Sequence, residues 1–222
     1  VTVHRQENTE NKKRFINIFK ALLKLAEHYP IILPAHPRTL NKLNQYGLYN
    51  KIVNTKNFIL TKPLGYLRFL GLLIHARTVL TDSGGVQEEA FTLGVPTVTL
   101  RYNTERPETV LYGINSLAGA DINRIVKLAL TKAKKYSEIR KKIRKLRENK
   151  NPLGDGKAGF RIAQIVKEKI KEGIRGKRVI DSRTDPYIVY AIMDAKKAQK
   201  TIRKNAKIMA LYDEKGVATL RK

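Results

Sequence analysis

The sequence predicts an α/β fold: a parallel sheet covered by helices on both faces, followed by a helical appendage. Three observations carry this. Short uninterrupted apolar runs of strand length recur between amphipathic helical stretches, helix-stopping residues fall between them, and the character of the chain changes at the basic joint Gly173-Ile174-Arg175-Gly176.

Apolar Phe15, Ile16, Phe19, Leu22, Leu23 and Ala26 recur at the three-and-four spacing of a core-facing helix, which Glu27-His28-Tyr29-Pro30 closes. Ile31-Ile32-Leu33 then reads as a strand ending at Pro34. Phe58-Ile59-Leu60 reads as a second strand, residues 65–75 as a helix, Val79-Leu80-Thr81 as a strand, residues 85–93 as a helix and Val95 to Leu100 as a strand. Such runs separated by helices describe βαβ units, so residues 1 to about 120 form one Rossmann-like layer sandwich. Helices dominate from 121 to 172. Residues 1–172 are read as one domain and 173–222 as a basic helical extension of unassigned role, with a helical candidate around 186–211.

Lys and Arg number 45 against 19 Asp and Glu, a net charge of +26, which rules out an acidic scaffold or a polyanion mimic. With 42% hydrophobic residues the chain can bury a core, which rules out global disorder. The excess would attract nucleic acid, an anionic membrane surface or a phosphorylated ligand, and its location must choose among them. Residues 1–126 carry only +7, whereas 127–150 carry +9 and 173–222 carry +8. Between Lys127 and Lys150, Ile139, Ile143 and Leu146 stand at helical spacing among basic residues, an amphipathic basic helix. Its cations suit either a solvated outer face or a polyanion-binding one. No cysteine is present, which removes disulfides, thiolate metal sites and thiol nucleophiles and points to a reducing compartment. No run approaches the ~18 apolar residues of a membrane span, and the expected location is the cytoplasm. The chain opens on Val1, and its two methionines are Met193 and Met209, so it is expected to begin inside a longer polypeptide or after a removed leader.

Four segments carry chemistry. In Leu80-Thr81-Asp82-Ser83-Gly84-Gly85-Val86-Gln87-Glu88-Glu89-Ala90 an apolar strand runs into Ser-Gly-Gly and a helix. The amides after Ser83 then point out of the carboxyl edge of the sheet toward a phosphate or diphosphate, and Glu89 lies one turn on, within reach of ribose hydroxyls. The same residues also suit a plain strand-to-helix turn with Ser83 as N-cap. Leu100-Arg101-Tyr102-Asn103-Thr104-Glu105-Arg106-Pro107-Glu108 carries two arginines and two glutamates, a pattern for fixed ion pairs that present one arginine to an anion, or for a solvated turn. Val3-His4-Arg5-Gln6-Glu7-Asn8 and Pro34-Ala35-His36-Pro37-Arg38 both begin where a strand ends, so His4 and His36 fall on the same ligand-binding edge.

Together with Asn151-Pro152-Leu153-Gly154-Asp155-Gly156-Lys157-Ala158, these segments resemble, in order from residue 1 to about 172, the non-hydrolysing UDP-N-acetylglucosamine 2-epimerases. The resemblance implies the carboxyl-terminal half of a GT-B type two-domain fold. It implies an isomerase of nucleotide sugars for polysaccharide biosynthesis, interconverting UDP-GlcNAc and UDP-ManNAc by elimination and re-addition of UDP, with no cofactor and no metal. By motif, Ser83, Gly84 and Gly85 would bind the diphosphate, Glu89 the ribose and Phe69 the uracil. Arg106 would position UDP, and His4 would assist its departure. Arg5, Glu7 and His36 match an allosteric UDP-GlcNAc site. Leu64 replaces a frequent Gln and Gln6 a usual Arg, which weakens one nucleotide contact and the allosteric match. The family's acid and base carboxylates belong to the other half, so a separate amino-terminal Rossmann-like half and a homo-oligomer are expected as partners.

Two other readings stay open: a different UDP-sugar epimerase or GT-B glycosyltransferase, and a non-catalytic basic binding module. With Tyr136 the lone aromatic of 127–150, no base-stacking platform is evident and a nucleic-acid partner is disfavoured.

Overall fold

The computed structural model describes residues 1–171, 209–212 and 218–221. Contacts divide the chain into two units, Val1–Leu153 and Gly154–Lys222.

The first unit contains the sheet. Strands β1 (Ile31–Pro34) and β2 (Phe58–Thr61) pair in parallel, and so do β3 (Val79–Thr81), β4 (Thr97–Thr99) and β5 (Asn115–Leu117), in that spatial order. Residues 1–3 join the two sets. Thr2 forms a parallel bridge with Thr81, its N–H donating to the Leu80 carbonyl at 2.9 Å, while the Val1 nitrogen donates to the Ile32 carbonyl at 2.7 Å. Parallel strands all end at one edge, so the loops after Val3, Pro34, Thr81 and Thr99 open on the same side.

The elements form for local reasons. Short helix α1 (Gln6–Thr9) leads to α2 (Lys12–Ala26), which starts where the Asn11 side chain accepts from the Arg14 N–H. On α2, Phe15, Ile18, Phe19, Leu22 and Leu25 are buried at helical spacing. Helices α3 (Pro37–Gln45) and α4 (Tyr49–Val53) connect β1 to β2, and α5 (Tyr66–Ile74) connects β2 to β3. Helix α6 (Gly84–Leu93) ends at Gly94, whose φ of +79° is a left-handed cap that glycine adopts without steric cost. After α7 (Pro107–Leu111) and β5 come α8 (Ile122–Lys134) and α9 (Tyr136–Lys150). Helix α8 packs on α2 and α5 packs on α6, so helices cover both faces, as expected. The main core joins α2, α8, β1 and residues 1–3; Leu73, Val79, Ala90 and Val95 form a second cluster; Phe91, Ile114, Ile139 and Ile143 form a third. The last explains the basic helix: α9 sinks Ile139 and Ile143 and leaves Arg140, Lys141, Lys142, Arg144, Lys145 and Arg147 exposed.

In the second unit, α10 (Ala158–Lys171) is preceded by Asp155, which accepts from Arg161 at 2.6 and 2.8 Å. The sequence division at 172 falls inside this unit. Of the helix expected around 186–211, only Met209–Leu211 lie among the described residues, and these are strand: β6 (Met209–Tyr212) pairs antiparallel with β7 (Ala218–Arg221). There, backbone pairing between the two short segments stands in place of the end of the expected helix, and the rest of that helix lies outside the described residues.

Candidate functional site

At the carboxyl edge, β3 runs directly into α6. Ser83 caps α6, its hydroxyl accepting from the Val86 N–H at 3.5 Å, and its own N–H donates to Thr81 Oγ1 at 3.0 Å. The Ser83-Gly84-Gly85 turn thus aims the first amides of a ten-residue helix outward, where the helix carries its partial positive charge. Gly84 is buried, and a Cβ there would come within 3.3 Å of Glu105 Oε2; Gly85 is exposed, with nothing nearer its virtual Cβ than Ser83 Oγ at 4.0 Å.

The loop after β4 holds its charges in fixed pairs. Arg101 is ion-paired with Glu7 and donates through Nη1 to both oxygens of Glu105 at 2.7 and 2.8 Å. Arg5 lies 3.7 Å from the same Glu105 carboxylate. Burial would raise the Glu105 carboxyl, but Arg101, a backbone hydrogen bond and Arg5 together outweigh it and hold the group below its ordinary value. Arg106 sits against the Glu88 carboxylate through Nε, without an aligned hydrogen bond there, and donates through Nη1 to the Glu105 carbonyl at 2.9 Å. Its backbone is set from below by a buried polar cluster. Thr104 Oγ1 lies 2.5 Å from Gln87 Oε1, and Asn115 Nδ2 donates to that oxygen at 3.0 Å and to Thr109 Oγ1 at 3.2 Å. The Arg106 N–H donates to Thr104 Oγ1 at 3.0 Å.

His4 is held by Asp82, whose side chain is fully buried. The carboxylate accepts from the His4 N–H at 3.0 and 3.1 Å, the Arg5 N–H at 3.0 Å and Asn8 Nδ2 at 3.1 Å, and it lies 3.4 Å from His4 Nδ1. Burial pushes the His4 imidazole below its ordinary pKa; Asp82 opposes this, while His36, Arg5 and Arg38 act with it. The His4 and His36 ring centroids are 6.0 Å apart, and His36 Nδ1 caps α3 by accepting from the Arg38 N–H at 3.1 Å.

Phe69 and Val86 pack on the same small cluster, which sets α5 beside the start of α6. Burial raises the Glu89 carboxyl, with the Tyr66 hydroxyl opposing and Glu88 adding to it. Leu64, half-buried, precedes the Gly65 that caps α5. His4, Arg5 and Glu7 after residues 1–3, His36 after β1, Ser83 to Gly85 after β3 and Arg106 after β4 therefore follow strands on one edge, whereas Phe69 lies within α5 against the apolar cluster of Leu73, Val79, Ala90 and Val95, and Glu89 lies within α6. Sequence reading left Asp82, Asn8, Arg38 and Gln87 without roles. For Asp82 the available signal was an acid between an apolar strand and a Ser-Gly-Gly turn, a place where backbone donors gather. Among the described residues no group of three or more His, Cys, Asp or Glu could hold a metal ion, and no helix is long and apolar enough to cross a membrane.

Fold and site define a Rossmann-like α/β domain with a capped helix N-terminus, two fixed arginines and a histidine on its carboxyl edge. Residues 1–167 match the family described as UDP-N-acetylglucosamine 2-epimerase, and the chain belongs to that family. It is 44% identical over 168 residues to the UDP-N-acetylglucosamine 2-epimerase of Methanocaldococcus jannaschii, covering 75% of this chain and 43% of that one. It is 38% identical over 166 residues to the UDP-2,3-diacetamido-2,3-dideoxy-D-glucuronate 2-epimerase of Pseudomonas aeruginosa, with 74% and 43% covered. A crystal structure of the Methanocaldococcus jannaschii enzyme in complex with UDP-GlcNAc and UDP superposes with a TM-score of 0.65 at 41% identity, over 75% of this chain and 44% of that one. The chain spans less than half the length of these relatives.

Proposed function

We propose that this chain is the nucleotide-binding half of a UDP-N-acetylglucosamine 2-epimerase, acting with a separate amino-terminal half to interconvert UDP-GlcNAc and UDP-ManNAc. The observation that carries the reading is the α6 N-terminus, where the Gly84 and Gly85 amides, the Ser83 hydroxyl, Arg106 and the exposed flank of His4 border one edge. In this reading the amides and Arg106 hold the diphosphate, Glu89 accepts from the ribose hydroxyls and Phe69 lies against the uracil. A base removes the proton from the carbon bearing the acetamido group, and the bond from the anomeric carbon to the UDP oxygen breaks, leaving a double bond in the sugar. UDP then re-adds while a proton returns to the opposite face. His4 offsets charge on the departing diphosphate, and the acid and base carboxylates come from the other half. Arg5, Glu7 and His36 border a second UDP-GlcNAc site, and the assembly is a cytoplasmic homo-oligomer.

Titration calorimetry with UDP tests the site: the 222-residue chain binds UDP, and Arg106→Ala weakens it at least tenfold, about 1.4 kcal/mol. Absence of heat at millimolar UDP would sink the site assignment. In the assay, the chain alone turns over little and gains activity with an amino-terminal half; full activity alone would remove the need for a partner. The relative that acts on a diacetamido-glucuronate derivative favours a second reading, the same UDP edge serving another sugar. Product analysis across UDP sugars separates the two.

A further inference from the structure

We infer that Asp82 is a positioning residue for His4: its carboxylate keeps the imidazole proton on Nδ1 and leaves Nε2 as the atom presented to a ligand. The inference deepens the proposed role of His4 and rests on that reading for its functional meaning, though not for its chemistry.

Asp82 accepts from three donors, the His4 and Arg5 amides and Asn8 Nδ2. Asn8 Nδ2 also donates to the Leu100 carbonyl at 3.0 Å, which ties the carboxylate to the end of β4. The backbone of His4 is fixed from the other side, because Arg38 Nη1 donates to the His4 carbonyl at 3.2 Å. With backbone and carboxylate both fixed, the ring is left with Nδ1 at 3.4 Å from Oδ1. A carboxylate oxygen accepts and does not donate, so a bare Nδ1 lone pair there would face a second lone pair. Placing the proton on Nδ1 turns that repulsion into attraction and puts the lone pair on Nε2. The His4 side chain is 37% exposed and the Asp82 side chain 0%, so the open flank of the ring is the one away from the carboxylate. His36, Arg5 and Arg38, the other charged or titratable groups acting on the ring, all disfavour a second proton. The resting ring is therefore neutral and accepts at Nε2. An anionic diphosphate at the open flank reverses the balance, and a proton taken from solvent onto Nε2 makes a donor to a phosphate oxygen.

The test is the nitrogen spectrum of uniformly 15N-labelled chain, with His4 assigned by comparison with His4→Gln. Neutral His4 is expected in the Nδ1–H form, and an Nε2–H pattern overturns the proposal. In Asp82→Asn, the Nδ1–H preference is lost and the His4 titration moves to lower pH; an unchanged pattern and titration overturn it too. Asn8→Ala, which keeps the carboxylate, separates positioning from support of the fold. It should lower stability and leave the His4 tautomer unchanged, whereas a switched tautomer would place control in the packing and overturn the inference. If Asp82→Asn does not fold, the unsubstituted spectrum and Asn8→Ala still decide. Should His4→Gln keep full epimerase activity in the reconstituted enzyme, the role proposed for His4 fails while the spectra stand.

Discussion

Arg101, just past β4, is ion-paired with Glu7 on α1, 94 residues earlier in the chain. The guanidinium is nearly buried and also holds Glu105, so it welds the loop after residues 1–3 to the loop that carries Arg106. Arg101→Lys keeps a charge but loses the two-sided fork, and it should cost about 1.5–3 kcal/mol in urea denaturation, the range for hydrogen bonds to charged groups.

Glu105 makes the weld sensitive to acid. Its carboxyl is held below the ordinary value in the fold, so the stability it contributes is present above the unfolded pKa and drains away as pH falls through the folded one. Comparing Glu105→Gln with the parent at pH 7 and at pH 3 should show a gap at the first that shrinks at the second.

Gly85→Ala should move stability and affinity in opposite directions. The position is an exposed helical site with room for a methyl group, so alanine gains roughly 0.5–1 kcal/mol from helix propensity. In the proposed site that methyl would also stand where the diphosphate approaches the amides. Melting temperature should rise while calorimetric affinity for UDP falls; a fall in both would show that the glycine serves the fold.

Lys132 gives an alkaline counterpart. Its ammonium donates to the carbonyls of Ile114 at 2.7 Å and Gly113 at 3.2 Å, and burial, with Lys142 adding, lowers its pKa to about 8. Between that value and 10.5 the unfolded chain binds the extra proton, so stability contributed at this site rises with pH. Relative to Lys132→Met, the parent should gain by a few kcal/mol from pH 7 to pH 10.5, since each tenfold change in proton affinity is worth about 1.4 kcal/mol.

The basic helix should be silent at the proposed nucleotide site. Arg140 packs beside Gly94, at the far end of α6 from Ser83, and ten helical residues span about 15 Å. That exceeds the ~8 Å screening length at physiological salt. Arg140→Glu with Lys141→Glu should therefore change UDP affinity by less than about twofold.

The parallel layers, α2, α5, α6 and the Ser83-capped turn were legible because each announces itself by apolar spacing or by Ser-Gly-Gly. Strand β5 was not. Its buried residue, Asn115, is polar because it completes the cluster with Gln87, Thr99 and Thr109, so the strand reads as a loop. Asp82 was hidden for a related reason: its partners include the amides of His4 and Arg5, and backbone donors leave no mark in a sequence. The ion pairs around Arg101 were legible as a type, but the partner Glu7 lies in a different segment, and only the sheet brings the two together.

That same sheet sets an order of assembly. Thr2 meets Thr81 across 79 residues, and the first segment has neighbours on both sides that follow it in the chain. Helices form in ~0.1–1 μs, whereas a closure this long must find its register after its flanking pieces exist. Truncations ending before Val79 can pair β1 with β2 yet leave His4 without Asp82. Ligand competence should therefore emerge late in refolding, together with closure of the sheet and after most of the helical signal has returned.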